Sequence, residues 1–302
     1  MKLSIVVPCF NEEEALPVFY RETEKYTEKI DAEIEYCFVD DGSRDHTLQK
    51  MRSLSERDER VHYVSFSRNF GKEAALLAGL EMAGGDYVVT MDVDLQDPPS
   101  LLPEMFHALH EDGYDCCAAR RSTRKGEPPV RSWFARRFYH LISHISDIDI
   151  VDGARDFRMM KRSMVNAVIE DREYNRFSKG LYSWVGFQTK WLAYENVERS
   201  AGKTKWSFTK LFRYAVTGIL AYSTAPLIWI AWGGTLLFVI GFVWLLAALI
   251  RSALYGIAVS SSALIVLIGG LILLAVGICA LYISKMYLEV KHRPVYIVRE
   301  RR

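Results

Sequence analysis

The sequence predicts an α/β protein with a largely parallel sheet, followed by a part that lies in a membrane. Over the first 120 residues, short β-rich runs alternate with polar, periodic segments, which is typical of repeated strand–helix units. Further along, no Asp, Glu, Lys or Arg occurs from Tyr214 to Ile250 or from Ser252 to Ser284. Each of these stretches exceeds the roughly 20 residues that a helix needs to cross a bilayer.

The predicted strands are short and apolar, and turn residues bound each of them. Because strands joined through helices form right-handed crossover units, neighbouring strands are expected to run parallel. The strands are Leu3–Cys9, Ile34–Asp40, Val61–Ser67, Tyr87–Asp92 and Tyr114–Ala119. The polar segments between them, which predict helices, begin near Glu12, Asp45, Lys72 and Pro99.

Polar clusters follow four of these strands. In parallel sheets, ligands bind outside the carboxyl ends of the strands. The clusters therefore predict one composite pocket at that edge of the sheet. They are Asn11-Glu12, Asp40-Asp41-Gly42-Ser43, Ser67-Arg68-Asn69 and Asp92-Val93-Asp94.

Asp92 and Asp94 are the strongest chemical signal. Residues two apart point the same way on a strand, so both carboxylates can reach one point. Carboxylate oxygens suit Mg²⁺ or Mn²⁺, which commonly bind with few protein ligands and with substrate phosphates. A cation there could act as a Lewis acid for a departing diphosphate. Asp97, which precedes Pro98-Pro99, is interpreted as an exposed helix N-cap.

Asp40 and Asp41 form a second acidic pair, and Gly42 allows a tight turn after them. Their carboxylates could accept hydrogen bonds from a ribose or from a base N–H. The alternative is an ordinary cap of the next helix by Ser43 or Asp45.

Composition narrows the possible classes of protein. A formal net charge of +1 gives no sign of a polyanion partner, so no nucleic acid is expected. The N-terminal run up to Pro8 is too short for a cleavable leader, so the first part of the chain is expected in the cytoplasm. The cysteines lack a CxxC spacing, which favours reduced core residues over disulfides or zinc ligands. They are Cys9, Cys37, Cys116, Cys117 and Cys279.

The motifs in combination resemble glycosyltransferase family 2. More narrowly, they are similar to the polyprenyl-phosphate glycosyltransferases, which include bactoprenol glucosyltransferases and dolichyl-phosphate mannose synthases. The segments are Val6–Glu13, Val39–Ser43, Phe66–Glu73 and Asp92–Pro99, continuing through Gly153–Arg162, Arg176–Phe187 and Arg199–Phe208. The resemblance implies a GT-A fold (Rossmann-like), inversion at the anomeric carbon, a nucleotide-sugar donor and a metal cofactor, Mg²⁺ or Mn²⁺.

The resemblance also implies roles for individual residues. The nucleotide-binding set is Pro8, Glu12, Asp40, Asp41 and Asp92, and the metal set is Asp92, Asp94 and Gln96. Asp94 and Asp156 are the implied catalytic residues. Where the family reads GDFRLMDR, this chain has Ala154-Arg155 before Asp156 and Lys161 in place of an acidic residue.

A polyprenyl phosphate is the implied acceptor. The second pKa of a phosphate monoester is about 6, so it is largely ionised at neutral pH and needs no strong general base. It needs positive charge and in-line placement instead, and we expect Asp156 to position groups rather than remove a proton. The basic residues expected to meet the phosphate are Arg120, Arg124, Arg131, Arg199 and Lys205.

The predicted domains follow from these patterns. They are a catalytic domain over 1–205, a juxtamembrane amphipathic helix over 206–225, two membrane helices (about 227–250 and 263–283) within 226–284, and a basic tail over 285–302. Five Lys or Arg residues lie in 199–214 and six follow the second span, whereas only Arg251 lies between the spans. This asymmetry predicts a plasma-membrane protein with both termini and the catalytic domain in the cytoplasm.

The predicted reaction is transfer of a sugar to undecaprenyl phosphate for cell-envelope glycan modification, with UDP-glucose as the first choice of donor. UDP-GlcNAc and GDP-mannose remain open as donors. A processive polysaccharide synthase would need a QxxRW-type motif, but the nearest match, Gln188-Thr189-Lys190-Trp191, has Lys for Arg. Intact acidic positions disfavour a non-catalytic membrane scaffold. The resemblance also implies a homo-oligomer, such as a tetramer.

Overall fold

The computed structural model describes residues 1–121, 151, 154–171, 173–174, 176–194 and 262–302, together with isolated residues between 216 and 256. The strands in this part of the chain are β1 (Lys2–Cys9), β2 (Glu33–Asp40), β3 (Val61–Phe66), β4 (Tyr87–Thr90), β5 (Cys116–Arg121), β6 (Ala154–Lys161), β7 (Thr189–Tyr194) and β8 (Val298–Arg301). The helices are α1 (Ala15–Thr27), α2 (Thr47–Arg57), α3 (Lys72–Met82), α4 (Leu102–His110), α5 (Arg162–Glu170), α6 (Ser178–Trp184) and α7 (Ser262–Val290). A short 3-10 helix, Pro99–Leu101, precedes α4.

The described strands form one sheet in the order β7-β5-β6-β4-β1-β2-β3-β8. β1 pairs in parallel with β2 and β4, β2 pairs in parallel with β3, and β5 with β7. β6 lies antiparallel between β4 and β5, and β8 lies antiparallel at the edge beside β3. The prediction of a GT-A-like α/β fold with a mostly parallel sheet is confirmed.

Helices cover both faces of the sheet. On one face, Leu16 and Phe19 of α1 and Met105 of α4 join a buried cluster with Ile5 of β1. The other face is covered by α3, α5 and α6. Burial on both faces explains why the strands read as continuous apolar runs rather than alternating ones. At Gly79 in α3, a Cβ atom would lie 2.2 Å from Cγ1 of Val6, so this closeness of helix and sheet requires glycine.

The five predicted strands agree with β1 to β5 to within two residues at every end. Three further strands, β6, β7 and β8, were not predicted. The most consequential is β8, because it lies within the stretch interpreted as a basic tail, 285–302, and pairs with β3 of the catalytic sheet. The preceding helix, α7, extends to Val290.

Much of the predicted membrane part lies outside the described residues. This applies to the juxtamembrane helix, 206–225, and to the first span, 227–250, apart from isolated positions. Within the described part of the chain, no helix is long and apolar enough to cross a membrane.

Candidate active site

The candidate site lies at the edge of the sheet where β1 to β5 have their carboxyl ends. β6 runs antiparallel to its neighbours, so its first residues, including Asp156, reach the same edge. The structure therefore brings Asp156 to the loop after β4, which carries Asp92 and Asp94. The hydroxyl of Thr90 in β4 donates to the backbone carbonyl of Asp156 and ties the two strands together.

Lys72 joins the two acidic segments. Its ammonium lies 2.7 Å from Oδ1 of Asp92 and 2.6 Å from Oδ2 of Asp156. The side chain of Lys72 is one-third exposed, at 33%, so the group lies in the wall of the site and reaches solvent. Lys72 is the first residue of α3 and follows the loop that connects β3 to α3. The fold therefore brings its ammonium group to both carboxylates.

The charges of this cluster stabilise one another. Burial alone would raise the pKa of Asp156, but the positive charge of Lys72, and next that of Lys179, outweighs it and holds the pKa well below its usual range. Burial would likewise lower the pKa of Lys72, yet the charges of Asp156 and Asp92 raise it above its ordinary value. The cluster is therefore a charged ion pair network at neutral pH.

Asp94 and Gln96 lie in the turn that follows β4. The backbone N–H of Gln96 donates to Oδ1 of Asp94 at 3.2 Å. Leu95 between them has a φ of 55°, in the left-handed region, which reverses the chain and keeps the turn close to the strand end. Asp94 is half-buried.

The described residues contain no group of three or more His, Cys, Asp or Glu side chains placed to hold a metal ion. Asp92 and Asp94 nevertheless fit a divalent cation of the kind that takes only one or two carboxylates from the protein and completes its shell with water and substrate phosphates. Gln96, the third predicted metal ligand, contacts Asp94 through its backbone N–H group.

Asp40 is buried at the end of β2, with 1% exposure. Its Oδ1 accepts a hydrogen bond from the backbone N–H of Ser43 at 3.0 Å, and its Oδ2 accepts one from the hydroxyl of Ser65 at 2.7 Å. Both bonds are internal to the fold. Asp40 therefore shapes the end of β2 and its turn, while still lining the cleft described below.

Asp41 organises the loop between β3 and α3. Its carboxylate accepts hydrogen bonds from the backbone N–H groups of Phe70 at 2.6 Å and Gly71 at 3.0 Å, and from the side-chain amide of Asn69 at 2.7 Å. Burial raises the pKa of Asp41 to about 6, although these N–H groups partly oppose the shift. The loop that Asp41 fixes leads directly into Lys72.

A cleft of about 420 Å³ opens beside these turns. At its border, Gly42 lets two loops pass close together. Its φ is 66°, and a Cβ atom at this position would lie 2.4 Å from the carbonyl carbon of Arg68. The lining residues come from the ends of β1, β2 and β3 and from β8: Phe10, Asn11, Asp40, Gly42, Ser43, Arg44, Leu48, Ser65, Phe66, Ser67, Arg68, Asn69 and Arg299. Of the predicted nucleotide-binding residues, Asp40 lines this cleft, whereas Pro8, Glu12, Asp41 and Asp92 do not.

Asp97 corrects one interpretation. It is not an exposed cap: it is fully buried, and the 3-10 helix after it has no side-chain cap. Its Oδ1 accepts from Nε of Arg155 at 3.0 Å and from the hydroxyl of Tyr194 at 2.5 Å. The position that looked anomalous in the sequence, Arg155, thus neutralises Asp97, while the neighbouring Asp156 pairs with Lys72.

Of the residues expected to meet an acceptor phosphate, Arg120 is described. It is exposed near the carboxyl end of β5, opposite Ala154 of β6, at the same edge as Asp156. The other four, Arg124, Arg131, Arg199 and Lys205, lie outside the described residues. Lys72 was missed, although its place directly after a polar cluster at a strand end could have marked it.

A smaller cavity of about 240 Å³ lies between the start of α3 and the end of α7. Three cationic side chains line it, from Arg68, Arg176 and Lys285, alongside Glu73. The carboxylate of Glu73 accepts from the backbone N–H of Ser178 at 3.0 Å, so it helps to fix the start of α6.

Comparison with known proteins identifies the family of this chain. Residues 4–169, more than half of the chain, match the family described as Glycosyl transferase family 2. The bactoprenol glucosyl transferase of Shigella phage SfV is 40% identical, with 99% of this chain and 98% of that protein covered. The prophage bactoprenol glucosyl transferase homolog of Escherichia coli K12 is 38% identical over 99% of both chains.

Among solved structures, glucosyl-3-phosphoglycerate synthase from Mycobacterium tuberculosis is 18% identical with a TM-score of 0.47, covering 72% of this chain and 77% of that one. The family match and the relatives of about 40% identity are sufficient to assign the chain. This protein is a glycosyltransferase that belongs to glycosyl transferase family 2.

Proposed function

We propose that this enzyme transfers glucose from UDP-glucose to a polyprenyl phosphate, with undecaprenyl phosphate as the acceptor and inversion at the anomeric carbon. The observation that carries the proposal is the bridge from Lys72 to Asp92 and Asp156. A site for two anionic reactants needs a positive charge that can reach both of them, and Lys72 supplies one beside the two carboxylates. Support for the choice of sugar and acceptor comes from the full-length relatives named bactoprenol glucosyl transferase.

Two regions at the carboxyl edge of the sheet would bind the donor, one its nucleotide and the other its phosphates. The cleft beside β2 and β3 offers the aromatic ring of Phe10 and three arginines to a nucleotide: Arg44, Arg68 and Arg299. Asp92 and Asp94, in the loop after β4, would hold Mg²⁺ or Mn²⁺ together with the donor's phosphates. When bound, the ion would supply Lewis-acid neutralisation of the departing diphosphate.

The acceptor phosphate attacks the anomeric carbon with one of its own oxygens. The new bond is carbon to phosphate oxygen, the bond that breaks joins the sugar to UDP, and UDP leaves with the electron pair. No proton has to move, because the acceptor is already ionised. Lys72 stays charged beside Asp156 and reduces the repulsion between the two phosphates, while Asp156 positions the ammonium.

The membrane anchor and the location at the cytoplasmic face of the plasma membrane are part of the same proposal. Exposed apolar side chains on α7 support it, because a soluble surface rarely presents so many together. They include Ile265 (64% exposed), Ile272 (56%), Leu274 (59%) and Ile283 (63%). The cavity at the end of α7, with its three cationic side chains, would suit the phosphate of an anionic lipid. Assembly as a homo-oligomer, such as a tetramer, belongs to the proposal too.

Purified full-length protein tests the reaction. With radiolabelled UDP-glucose, Mg²⁺ and undecaprenyl phosphate, we expect one chloroform-soluble radioactive product and stoichiometric release of UDP. Parallel reactions with UDP-GlcNAc and GDP-mannose determine the donor, and reactions with Mn²⁺ determine the preferred ion. A water-soluble polymer would instead favour a processive synthase. Absence of turnover with all three donors would contradict the proposal.

A further inference from the structure

The strand β8 is part of the sheet of the catalytic domain. It pairs antiparallel with β3, Val64 with Arg301 and Phe66 with Val298. The bonds continue beyond the strand, because the N–H of Ser67 donates to the carbonyl of Ile297 at 3.0 Å. A stretch that follows a long apolar helix is therefore built into the sheet.

Side chains fix β8 in register as well. The carboxylate of Glu300 accepts two hydrogen bonds from the guanidinium of Arg52 in α2, at 2.8 Å and 2.5 Å. Tyr296, just before β8, stacks on Phe66 with ring centroids 4.8 Å apart and 17° between the planes. Between these two anchors lies Arg299, whose backbone position is thereby determined.

Arg299 lines the cleft of about 420 Å³ with Arg44 and Arg68. The three residues come from three different elements: β8, the loop after β2 and the loop after β3. In the described part of the chain, neither Arg44 nor Arg299 donates a side-chain hydrogen bond to the protein. Their donors are thus available to a ligand that offers acceptor oxygens.

The order of the strands says which end of a donor Arg299 would meet. Asp92 and Asp94 follow β4, and four strand spacings of about 4.8 Å each, about 19 Å in all, separate β4 from β8. A nucleotide sugar whose diphosphate lies at Asp92 and Asp94 extends its nucleoside across β1 and β2 towards β3. Arg299 stands at the far, nucleoside end of the cleft.

We propose that Arg299 closes the donor site and donates hydrogen bonds to the carbonyl edge of the donor's pyrimidine base. This rests on the proposed use of a UDP-sugar and adds a residue that selects the base. Uracil presents a carbonyl oxygen where cytosine presents an amino group, and arginine can only donate. Arg299 lies on β8, which follows α7 in the chain, so the residue that selects the base is close in sequence to the proposed membrane anchor.

Binding of UDP, CDP and inorganic pyrophosphate to the full-length protein, measured by calorimetry with Mg²⁺ present, tests this. For Arg299→Gln we expect UDP to bind about tenfold more weakly, the loss typical of a charged hydrogen bond. CDP should lose less, because glutamine can accept from an amino group, and pyrophosphate should not change. Arg299→Lys should restore part of the affinity for UDP.

Arg301→Gln is the matched control, because it removes the same charge from the same strand at an exposed residue outside the cleft. It should bind UDP as the wild type does. Unchanged UDP affinity in Arg299→Gln would overturn the proposal, and so would equal losses for UDP and pyrophosphate, which would place Arg299 at the diphosphate. The lipid assay on the wild type tests the proposed reaction separately. UDP binding that depends on Arg299, without any lipid product, would contradict the reaction but support the role of Arg299.

Discussion

Two pairs of aspartates stand at the same edge of the sheet and are used differently. Asp40 and Asp41 accept hydrogen bonds from groups of their own turn, of β3 and of the loop after β3. Asp92 and Asp156 instead share one ammonium group, that of Lys72. The first pair is tied to the course of the chain, whereas the second is held by a single movable side chain.

Asp40 and Asp41 therefore form a structural frame, whereas Asp92 and Asp156, with Lys72, form the reacting centre. Backbone N–H groups bound to Asp41 cannot be given to a ligand without opening the loop that carries them. The Lys72 ammonium can exchange a carboxylate for a phosphate by rotating its side chain, because it has three donors and a flexible stem. Replacements in the second group should therefore affect catalysis most, and those in the first should affect stability most.

The largest effect is expected from Asp94→Ala. Transfer of glucose should fall about 10³-fold, the scale seen when a group that stabilises developing charge is removed. The melting temperature should change little, because Asp94 is half-buried in a turn. Radiolabelled lipid product and thermal unfolding in detergent measure the two outcomes. Asp31→Ala, an exposed aspartate just before β2, is the control and should act like the wild type; a normal rate in Asp94→Ala would remove the residue from the site.

Lys72→Met should reduce transfer about 10²-fold, and Lys72→Arg should recover part of the rate. Without the ammonium, the largest contribution that opposes burial is lost, so the pKa of Asp156 rises from its lowered value. The carboxylate is then protonated at higher pH, so infrared titration of the Asp156 carboxyl band, with Asp156→Asn as the reference, should give a higher pKa in Lys72→Met than in the wild type. Lys190→Met is the matched control, with 32% side-chain exposure against 33% for Lys72 and a salt bridge to Asp112 outside the candidate site. An unchanged Asp156 pKa in Lys72→Met would contradict the coupling of Lys72 to Asp156.

The smallest effect on catalysis, with the clearest effect on stability, is expected from Asp41→Asn. Asparagine keeps only one acceptor oxygen, so a buried N–H group of Phe70 or Gly71 loses its partner, which should cost about 1–3 kcal/mol. The folded pKa of about 6 is above the unfolded value, so this group's titration favours folding at low pH and that advantage is lost as pH rises through about 6. The difference in melting temperature between wild type and variant should therefore be larger at pH 5 than at pH 7.5. A difference that grows with pH would contradict this assignment.

The sequence predicts the frame better than the centre. The strands β1 to β5 are recognisable because burial on both faces produces uninterrupted apolar runs. β6 was missed because it carries Arg155, Asp156, Arg158 and Lys161, whose charges hide a strand that only long-range pairing creates. β8 was missed for the same reason, since Val298–Arg301 reads as part of a basic tail.

The site follows the same division. Motif spacing locates Asp40 and Asp41 at the end of β2, and Asp92 and Asp94 just after the end of β4. It does not reveal that Lys72 meets residues 20 and 84 positions away in the chain. Nor does it reveal that Asp97 is buried against Arg155. Such pairings depend on the order of strands in the sheet, which local patterns do not encode.

A double-mutant cycle on Lys72 and Asp156 tests the central claim most directly. Single-turnover transfer of glucose to undecaprenyl phosphate is measured for Lys72→Met, Asp156→Asn and the double variant. If the two side chains act as one unit, the double variant should be no slower than the slower single variant. Losses that multiply would show that Lys72 and Asp156 act independently, and would contradict the reacting centre described above.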